Sequence, residues 1–166
     1  MTAVGVLLVA MLVLGTVDTL VWLPEHLAPT TSLDGIYAGL TAADDMPFAV
    51  LGVPVWIVFW AVLGTAYVLL LLPGVRALRP AAEGVGALGA AALGCLLLGA
   101  VGVFHWWSAF GMGMAVSDDL PPGVGGTTPF GVVLALGGVI VGLVGVVLGA
   151  LVLGLRARTH RSVLAP

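Results

Sequence analysis

The sequence has very few of the polar side chains that a water-facing surface needs. It contains no lysine, asparagine or glutamine, and charged residues make up 8% of its 166 positions. Soluble domains carry about 25% charged residues, so the composition excludes a soluble globular fold. It also excludes intrinsic disorder, which requires low hydrophobicity and high charge. Without lysine, the chain cannot form a retinal or pyridoxal Schiff base or the phosphate site of a P-loop.

Cysteine is almost as scarce, because Cys95 is the only one. A single thiol excludes an intramolecular disulfide, a CxxC redox pair and a four-cysteine zinc or iron–sulfur site. Basic residues form no patch of the kind that binds nucleic acid, so a nucleic-acid partner is excluded as well.

Hydrophobic residues, by contrast, make up 61% of the chain and form four long runs. We predict transmembrane helices at about residues 3–22, 47–72, 84–107 and 129–155. Each run holds about 20 residues or more, enough at about 1.5 Å per residue to cross a hydrocarbon core of about 30 Å. A backbone in lipid must satisfy its own hydrogen bonds, so continuous runs of this length indicate helices rather than barrel strands. The predicted fold is an all-α integral membrane protein, with residues 1–166 forming one four-helix bundle domain.

The basic residues predict the orientation of these helices. They are Arg76 and Arg79, between the second and third spans, and Arg156, Arg158 and Arg161, after the fourth. All five fall on one side of a chain that crosses four times, and the positive-inside rule makes that side cytoplasmic. Both termini are then cytoplasmic, with outer loops at 23–46 and 108–128 and a cytoplasmic tail at 156–166. Glu83 is the one acidic residue of eight that falls on the inner side.

Glycine accounts for 25 residues, and in the fourth span it follows a helical repeat. Gly138, Gly142, Gly145 and Gly149 are spaced by four, three and four positions, which places them on one helix face. The absence of side chains lets two helix backbones approach closely, and this favours helix association in lipid. We therefore predict a helix-packing surface at these four glycines.

Tryptophan marks the predicted span ends. Trp22, Trp106 and Trp107 are predicted to be interfacial anchors, because tryptophan concentrates at membrane–water boundaries. His105 is interpreted as a solvated member of the same aromatic belt. Asp18 lies about one turn before Trp22 and is interpreted as an interfacial acid. An acid buried within the membrane would instead be a functional candidate.

A metal site is the alternative interpretation of this region. His105, Met112, Met114 and His26 lie on the predicted outer side and offer imidazole and thioether groups. Such ligands suit copper. A single haem held by His26 and His105 is a further alternative, as is a hard cation such as calcium bound by carboxylates. Those carboxylates belong to Asp44, Asp45, Asp118 and Asp119.

An Asp-Asp-x-Pro motif occurs twice. Asp44-Asp45-Met46-Pro47 is repeated as Asp118-Asp119-Leu120-Pro121, 74 positions later. A true duplication would relate the two halves as parallel repeats about an axis along the membrane normal, and it would bring the two acidic pairs together. Chance recurrence in so biased a composition is the other explanation.

The segment Phe48-Ala49-Val50-Leu51-Gly52-Val53-Pro54 opens the second span. It resembles the Gly-x-Pro entrance of membrane thiol oxidoreductases of the vitamin K epoxide reductase type. The chemistry of that family rests on an outer-loop cysteine pair and a CxxC motif, and the corresponding regions here hold no cysteine. The resemblance therefore implies a cysteine-less relative with that four-helix frame and without that activity.

These observations predict a small accessory subunit of a larger prokaryotic membrane complex, of a respiratory or other energy-converting kind, without catalytic activity of its own. The prediction rests on glycine surfaces suited to docking, long outer loops and spans that lack a polar path. Arginine without lysine, in a chain rich in Ala, Gly and Val, favours a prokaryotic inner-membrane protein. Its expected partners are the lipid bilayer and other membrane subunits, and no cofactor is expected. The alternative is a stand-alone membrane protein that binds copper or a small solute through the outer His, Met and Asp residues.

Overall fold

A computed structural model describes residues 2–72, 86–120 and 126–164. Within these residues all regular structure is helical and no strand occurs. The elements are α1 (Thr2–Val17), a π-helical turn (Asp18–Trp22), α2 (Leu23–Leu27), α3 (Leu33–Ala42), α4 (Met46–Leu71), α5 (Ala87–Asp119) and α6 (Pro129–Leu164). Four stretches of this described part are long and apolar enough to cross a membrane: Ala3–Leu27, Met46–Leu71, Ala87–Asp119 and Pro129–Ala157. The prediction of an all-helical protein with four candidate membrane spans is confirmed.

The first span changes its helical pitch at the π-helical turn, and Pro24 explains why. Proline has no backbone N–H, and its ring clashes with the carbonyl four residues earlier, which here belongs to Leu20. The helix widens at this point, and the Leu23 N–H donates to the carbonyl of Asp18, five residues back. The Leu20 carbonyl accepts a hydrogen bond from the Tyr37 hydroxyl of α3 at 2.6 Å. Pro24 thus shapes the turn that carries Asp18 and leaves an acceptor that α3 uses.

Tyr37→Phe is expected to lower the free energy of unfolding by about 1 kcal/mol at neutral pH, because it removes this hydrogen bond. Burial raises the pKa of Tyr37 above its ordinary value of 10.0. A raised pKa means that the stabilisation is fully present below about pH 10 and is lost as the pH rises through the folded-state value. Thermal unfolding in detergent should therefore separate the two proteins at about pH 7 and bring them together in strong base. Equal unfolding temperatures at neutral pH would contradict this assignment.

The segment 23–46, predicted as an outer loop, is largely helical because it contains α2 and α3. Ile36 and Leu40 of α3 are fully buried, so this short helix packs onto the ends of the longer ones. Asp44 follows the end of α3, and its φ of 63° lies in the left-handed region that Asp tolerates better than most residues. The Asp45 N–H donates to the Leu40 carbonyl at 3.0 Å and closes the turn. We call this end of the bundle the α3 end.

Helix α5 continues through 108–119, which were predicted to be an outer loop. This stretch contains no proline, and its apolar residues keep a helical spacing that buries Met112 and Val116. At its end, the carboxyl groups of Asp119 and Asp45 lie beside each other, so the second acids of the two Asp-Asp-x-Pro motifs meet. Helix α6 likewise continues to Leu164, into the predicted tail at 156–166.

Helix α5 occupies the centre of the bundle and packs against α1, α4 and α6. At the α5–α6 crossing, a Cβ added to Gly138 would lie 2.8 Å from the carbonyl oxygen of Gly99, and one on Gly99 would lie 2.6 Å from the Cα of Gly142. A Cβ on Gly145 would lie 2.8 Å from an α5 backbone nitrogen. Around Gly149, the described residues place no atom within 4 Å of such a Cβ. Three of the four glycines thus face α5, and their role in driving helix association stays a prediction.

The orientation also stays a prediction, since Arg76, Arg79 and Glu83 lie outside the described residues. We expect a cysteine introduced at Ala77 to be shielded from an impermeant thiol reagent in intact cells, because the positive-inside rule places it in the cytoplasm. A cysteine introduced at Thr41, which is exposed, should react. Both variants would carry Cys95→Ala to remove the native thiol. Labelling at position 77 but not at position 41 would reverse the orientation.

Candidate functional site

Two ionisable side chains that were predicted to lie at the membrane boundary are buried inside the bundle and contact each other. Asp18, on the π-helical turn, is 1% exposed, and His105, on α5, is 2% exposed. The His105 Nε2 lies 2.8 Å from the Asp18 Oδ2. The interpretations of His105 as a solvated belt residue and of Asp18 as an interfacial acid are therefore wrong. The spans thus contain a local buried polar cluster, while the expectation that they lack a polar path across the membrane stays a prediction.

The second oxygen of Asp18 is bound by the start of α6. The Thr128 hydroxyl donates to Asp18 Oδ1 at 2.5 Å and accepts a hydrogen bond from the Gly131 N–H at 2.8 Å. Thr128 is therefore the N-cap of α6, and it links the carboxylate to the positive end of the helix dipole. The Asp18 carboxylate thus has a partner for each oxygen and lies where negative charge is favoured.

The second nitrogen of His105 faces Ser108. The Ser108 hydroxyl donates to the backbone carbonyl of His105 at 2.7 Å, and its oxygen lies 3.3 Å from His105 Nδ1. A hydroxyl has one proton, so with that proton on the carbonyl the oxygen accepts from Nδ1–H. The remaining proton of the pair then lies between His105 Nε2 and Asp18 Oδ2. An imidazolium–carboxylate pair and a neutral imidazole–carboxylic acid pair both satisfy this arrangement, and they differ only in the position of that proton.

Asp18, His105 and Ser108 are also the residue types of a hydrolytic triad, but the arrangement cannot act as one. Ser108 is fully buried, and its proton is held by a carbonyl of its own helix. A nucleophilic serine must instead give its proton to the histidine and face the substrate. The Ser108 hydroxyl is therefore not placed to act as a nucleophile.

Trp56 of α4 encloses the pair on another side. The centroids of its indole and of the His105 imidazole are 5.4 Å apart. A Cβ on Gly15 of α1 would lie 2.7 Å from the Trp56 ring and 3.0 Å from His105 Nδ1, so glycine is needed at position 15 for α1 to come this close. No described group accepts a hydrogen bond from the buried Nε1 of Trp56.

The cluster approaches the surface on the side of Thr128. This residue is 3% exposed and borders a shallow pocket that Glu25 and His26 also line. Trp22 and Phe130 form the rim of the pocket, with their ring centroids 5.3 Å apart. Glu25 and His26 thus line the same pocket as Thr128, whose hydroxyl binds Asp18.

The structure does not bring the four predicted copper ligands together. Both ring nitrogens of His105 face protein partners, and Met112 is fully buried in an apolar cluster with Leu27. Met114 is exposed, and His26 is exposed on α2. In the part of the chain that the structure describes, no group of three or more His, Cys, Asp or Glu side chains is placed to hold a metal. The haem alternative meets the same obstacle, since His105 is already engaged.

The three predicted anchors, Trp22, Trp106 and Trp107, are all exposed. Trp106 and Trp107 contact each other edge to face, with centroids 5.4 Å apart. Exposure is what an anchor at a lipid boundary requires, and the anchoring itself stays a prediction.

The chain gives one signal that would have found the site, which is the position of its ionisable residues. Asp18 and His105 lie well inside two candidate spans, whereas the other acidic and histidine residues of these spans lie near the ends. Comparison of the chain with protein-family models, curated proteins and solved structures finds no match. The function is therefore inferred from the geometry of the site.

Proposed function

We propose that this chain is a small accessory subunit of a larger energy-converting complex in the cytoplasmic membrane of a prokaryote, and that Asp18 and His105 form its proton-holding group. The observation that carries the proposal is the burial of this pair inside two candidate membrane spans. Ionisable groups are expensive to place in a membrane interior, and where they occur they mark proton relays and ion pathways.

The pair is suited to holding a proton because its two protonation patterns use the same partners. Thr128 donates to Asp18, and Ser108 accepts from His105, whichever of the two residues carries the shared proton. Transfer along the 2.8 Å contact between Nε2 and Oδ2 requires no other group to move. Histidine is also the side chain whose charge changes most readily near neutral pH.

The one-sided access to the pair supports a role within a larger assembly. Polar residues lead from Asp18 to the α3 end through Thr128, Glu25 and His26. In the opposite direction lies an apolar cluster of described residues that includes Leu8, Trp60 and Val101. The chain thus provides part of a proton path, and we propose that a partner subunit provides the rest.

Helix α6 offers a surface for such a partner. It packs mainly against α5, and its exposed side chains include Val133, Ile140 and Leu143. Lipid and a partner helix are both apolar enough to cover this face. Extraction from the native membrane in a mild detergent, followed by native electrophoresis, distinguishes the two. We expect the chain to migrate within a much larger assembly, and migration alone would overturn the accessory role.

Infrared spectroscopy of the purified protein tests the proton-holding role. Spectra recorded between about pH 4 and 9, a range that brackets neutral pH on both sides, should contain a carboxylic-acid C=O band whose intensity changes with pH, because the proton shared with His105 can lie on the Asp18 carboxyl. Asp18→Asn should abolish the pH-dependent band. Asp34→Asn, on the exposed surface of α3, should leave it unchanged. If no such band appears at any pH in this range, the ion pair is permanent and its role is structural.

A further inference from the structure

The first turn of α6 brings one hydroxyl against the buried Asp18 carboxylate. Thr128 is the N-cap, and Pro129 follows at the first helical position, where its missing N–H removes no helical hydrogen bond. The Gly131 N–H donates to the Thr128 hydroxyl oxygen at 2.8 Å. A Cβ on Gly131 would lie 2.5 Å from the Thr127 hydroxyl oxygen and 3.4 Å from Asp18 Oδ2, so glycine lets this turn approach the carboxylate closely.

The hydrogen bonds of Thr128 have a fixed direction. Its oxygen accepts from the Gly131 N–H, and its single proton is donated to Asp18 Oδ1, 2.5 Å away. If Oδ1 carried a proton, that proton would have to be donated to the Thr128 oxygen. The Thr128 proton would then lose the one acceptor that the described residues give it. A buried donor without an acceptor is unfavourable, and Thr128 is 3% exposed, so this arrangement keeps Oδ1 free of a proton.

We propose that Thr128 is the positioning residue of the shared proton: it excludes the proton from Asp18 Oδ1 and confines it to the line between Asp18 Oδ2 and His105 Nε2. A hydrogen bond donated to a carboxylate also stabilises the ionised form, so Thr128 favours the state in which His105 holds the proton. Loss of this donor should move the proton from Nε2 to Oδ2, which converts the ion pair into a neutral imidazole and a carboxylic acid with the same total charge. The inference rests on the proposed function in one respect, which is that the pair shares a proton.

The other ionisable groups around this contact lie on α5 and α2. His105 of α5 binds Oδ2, and Glu25 and His26 of α2 are exposed and line the pocket that Thr128 borders. The two oxygens of the carboxylate are thus held by different helices, Oδ1 by the start of α6 and Oδ2 by α5. The position of the proton therefore depends on how the first turn of α6 is placed, and α6 is the helix whose exposed face we assign to a partner.

Infrared spectra of the full chain in detergent at neutral pH test this role. The measured quantity is the ratio of carboxylic acid to carboxylate at Asp18, taken from the C=O band that Asp18→Asn abolishes. Thr128→Val keeps the size and branching of the side chain and removes the hydroxyl. We expect it to raise the ratio about tenfold, the change in an equilibrium that corresponds to about 1.4 kcal/mol. Thr128→Ser, which keeps the hydroxyl, should keep the wild-type ratio.

Two controls separate this role from helix capping. Thr127→Val is the same substitution one position earlier, on an exposed side chain that does not bind Asp18, and it should leave the ratio unchanged. Ser32→Ala removes the N-cap hydroxyl of α3, which accepts from the Gly35 N–H. It should lower the unfolding temperature without changing the ratio. A Thr128→Val ratio equal to that of the wild type would overturn the inference and leave Thr128 as a helix cap.

The wild-type spectrum gives a second readout that needs no variant of Thr128. With the proton on Oδ2, the C=O bond of the acid ends at Oδ1, which accepts from the Thr128 hydroxyl. A hydrogen bond weakens a C=O bond, so the band should lie at a lower wavenumber than that of a carboxylic acid whose carbonyl has no hydrogen bond. A band at the wavenumber of the free carbonyl would overturn the inference even if Thr128→Val does not fold.

The outcomes distinguish failure of this inference from failure of the proposed function. A pH-dependent band in the wild type with an unchanged ratio in Thr128→Val would retain the proton-holding pair and remove the positioning role. A band that appears only in Thr128→Val would do the reverse, because Thr128 would then hold the native pair permanently as ions. The absence of a band from both proteins would overturn both roles.

Discussion

His105→Ala is expected to lower the free energy of unfolding by about 3–5 kcal/mol, because it leaves one member of a buried pair of ionisable groups without the other. Asp18 would remain buried and would lose the group that lies 2.8 Å from its Oδ2. Thr128 would still bind Oδ1, but Oδ2 would be left buried without its hydrogen-bond partner. Asp18→Ala should be similarly harmful, since it leaves His105 buried without its acceptor. Helical circular dichroism during unfolding in detergent measures the loss.

Two controls distinguish a broken pair from a general loss of packing. The double variant Asp18→Leu with His105→Leu should recover most of the stability, because replacing both partners of a buried ion pair by apolar residues is often neutral. His26→Ala, on the exposed surface of α2, should change the free energy of unfolding by no more than about 0.5 kcal/mol. A His105→Ala protein as stable as His26→Ala would contradict the assignment of a buried pair.

The spans were predictable from the sequence because membrane helices depend on local composition. Runs such as Met46–Leu71 contain no charged residue, and their length is enough to identify them as candidate membrane spans. Their ends were less predictable. The third span was expected to end at Trp107, because His105, Trp106 and Ser108 have the polarity of a boundary. In the structure, His105 and Ser108 find partners inside the bundle, so the helix continues to Asp119.

The pairing within the site could not be read from the sequence. Asp18 and His105 are 87 positions apart, and no local pattern states that the π-helical turn faces α5. Proximity to Trp22 favoured an interfacial Asp18, whereas in the structure α2 and α3 cover that end of the bundle. Position within a span, rather than the neighbouring aromatic residue, was the informative signal.

An aromatic groove between α4 and α5 was missed for a related reason. The sequence drew attention to Trp106 and Trp107 because they are adjacent and close to a predicted boundary. Trp56, Phe59 and Trp60 lie in the middle of α4, where tryptophan and phenylalanine are ordinary apolar residues of a span. Their meeting with rings of α5 depends on the crossing of two helices at Gly52 and Gly111, which composition does not specify.

The α5–α6 crossing gives the second large effect. Gly138→Leu is expected to destabilise the protein by at least about 1–3 kcal/mol, the usual range for overpacking a tight core. A Cβ at position 138 would lie 2.8 Å from the Gly99 carbonyl oxygen, 2.8 Å from the Val103 nitrogen and 3.0 Å from the Gly102 carbonyl carbon. All three are backbone atoms, so no rotamer change relieves the clash, and the two helices must separate.

The adjacent glycine provides the matched control for this substitution. A Cβ at Gly137 would have none of the described atoms within 4 Å, and Gly137→Leu introduces the same side chain into the same turn of α6. Replacing glycine by leucine also improves helix propensity by nearly 1 kcal/mol, so this control should be neutral or mildly stabilising. We expect the unfolding temperature in detergent to fall for Gly138→Leu alone. If both variants unfold together at the wild-type temperature, α5 and α6 do not meet at Gly138, and the glycine repeat reflects composition.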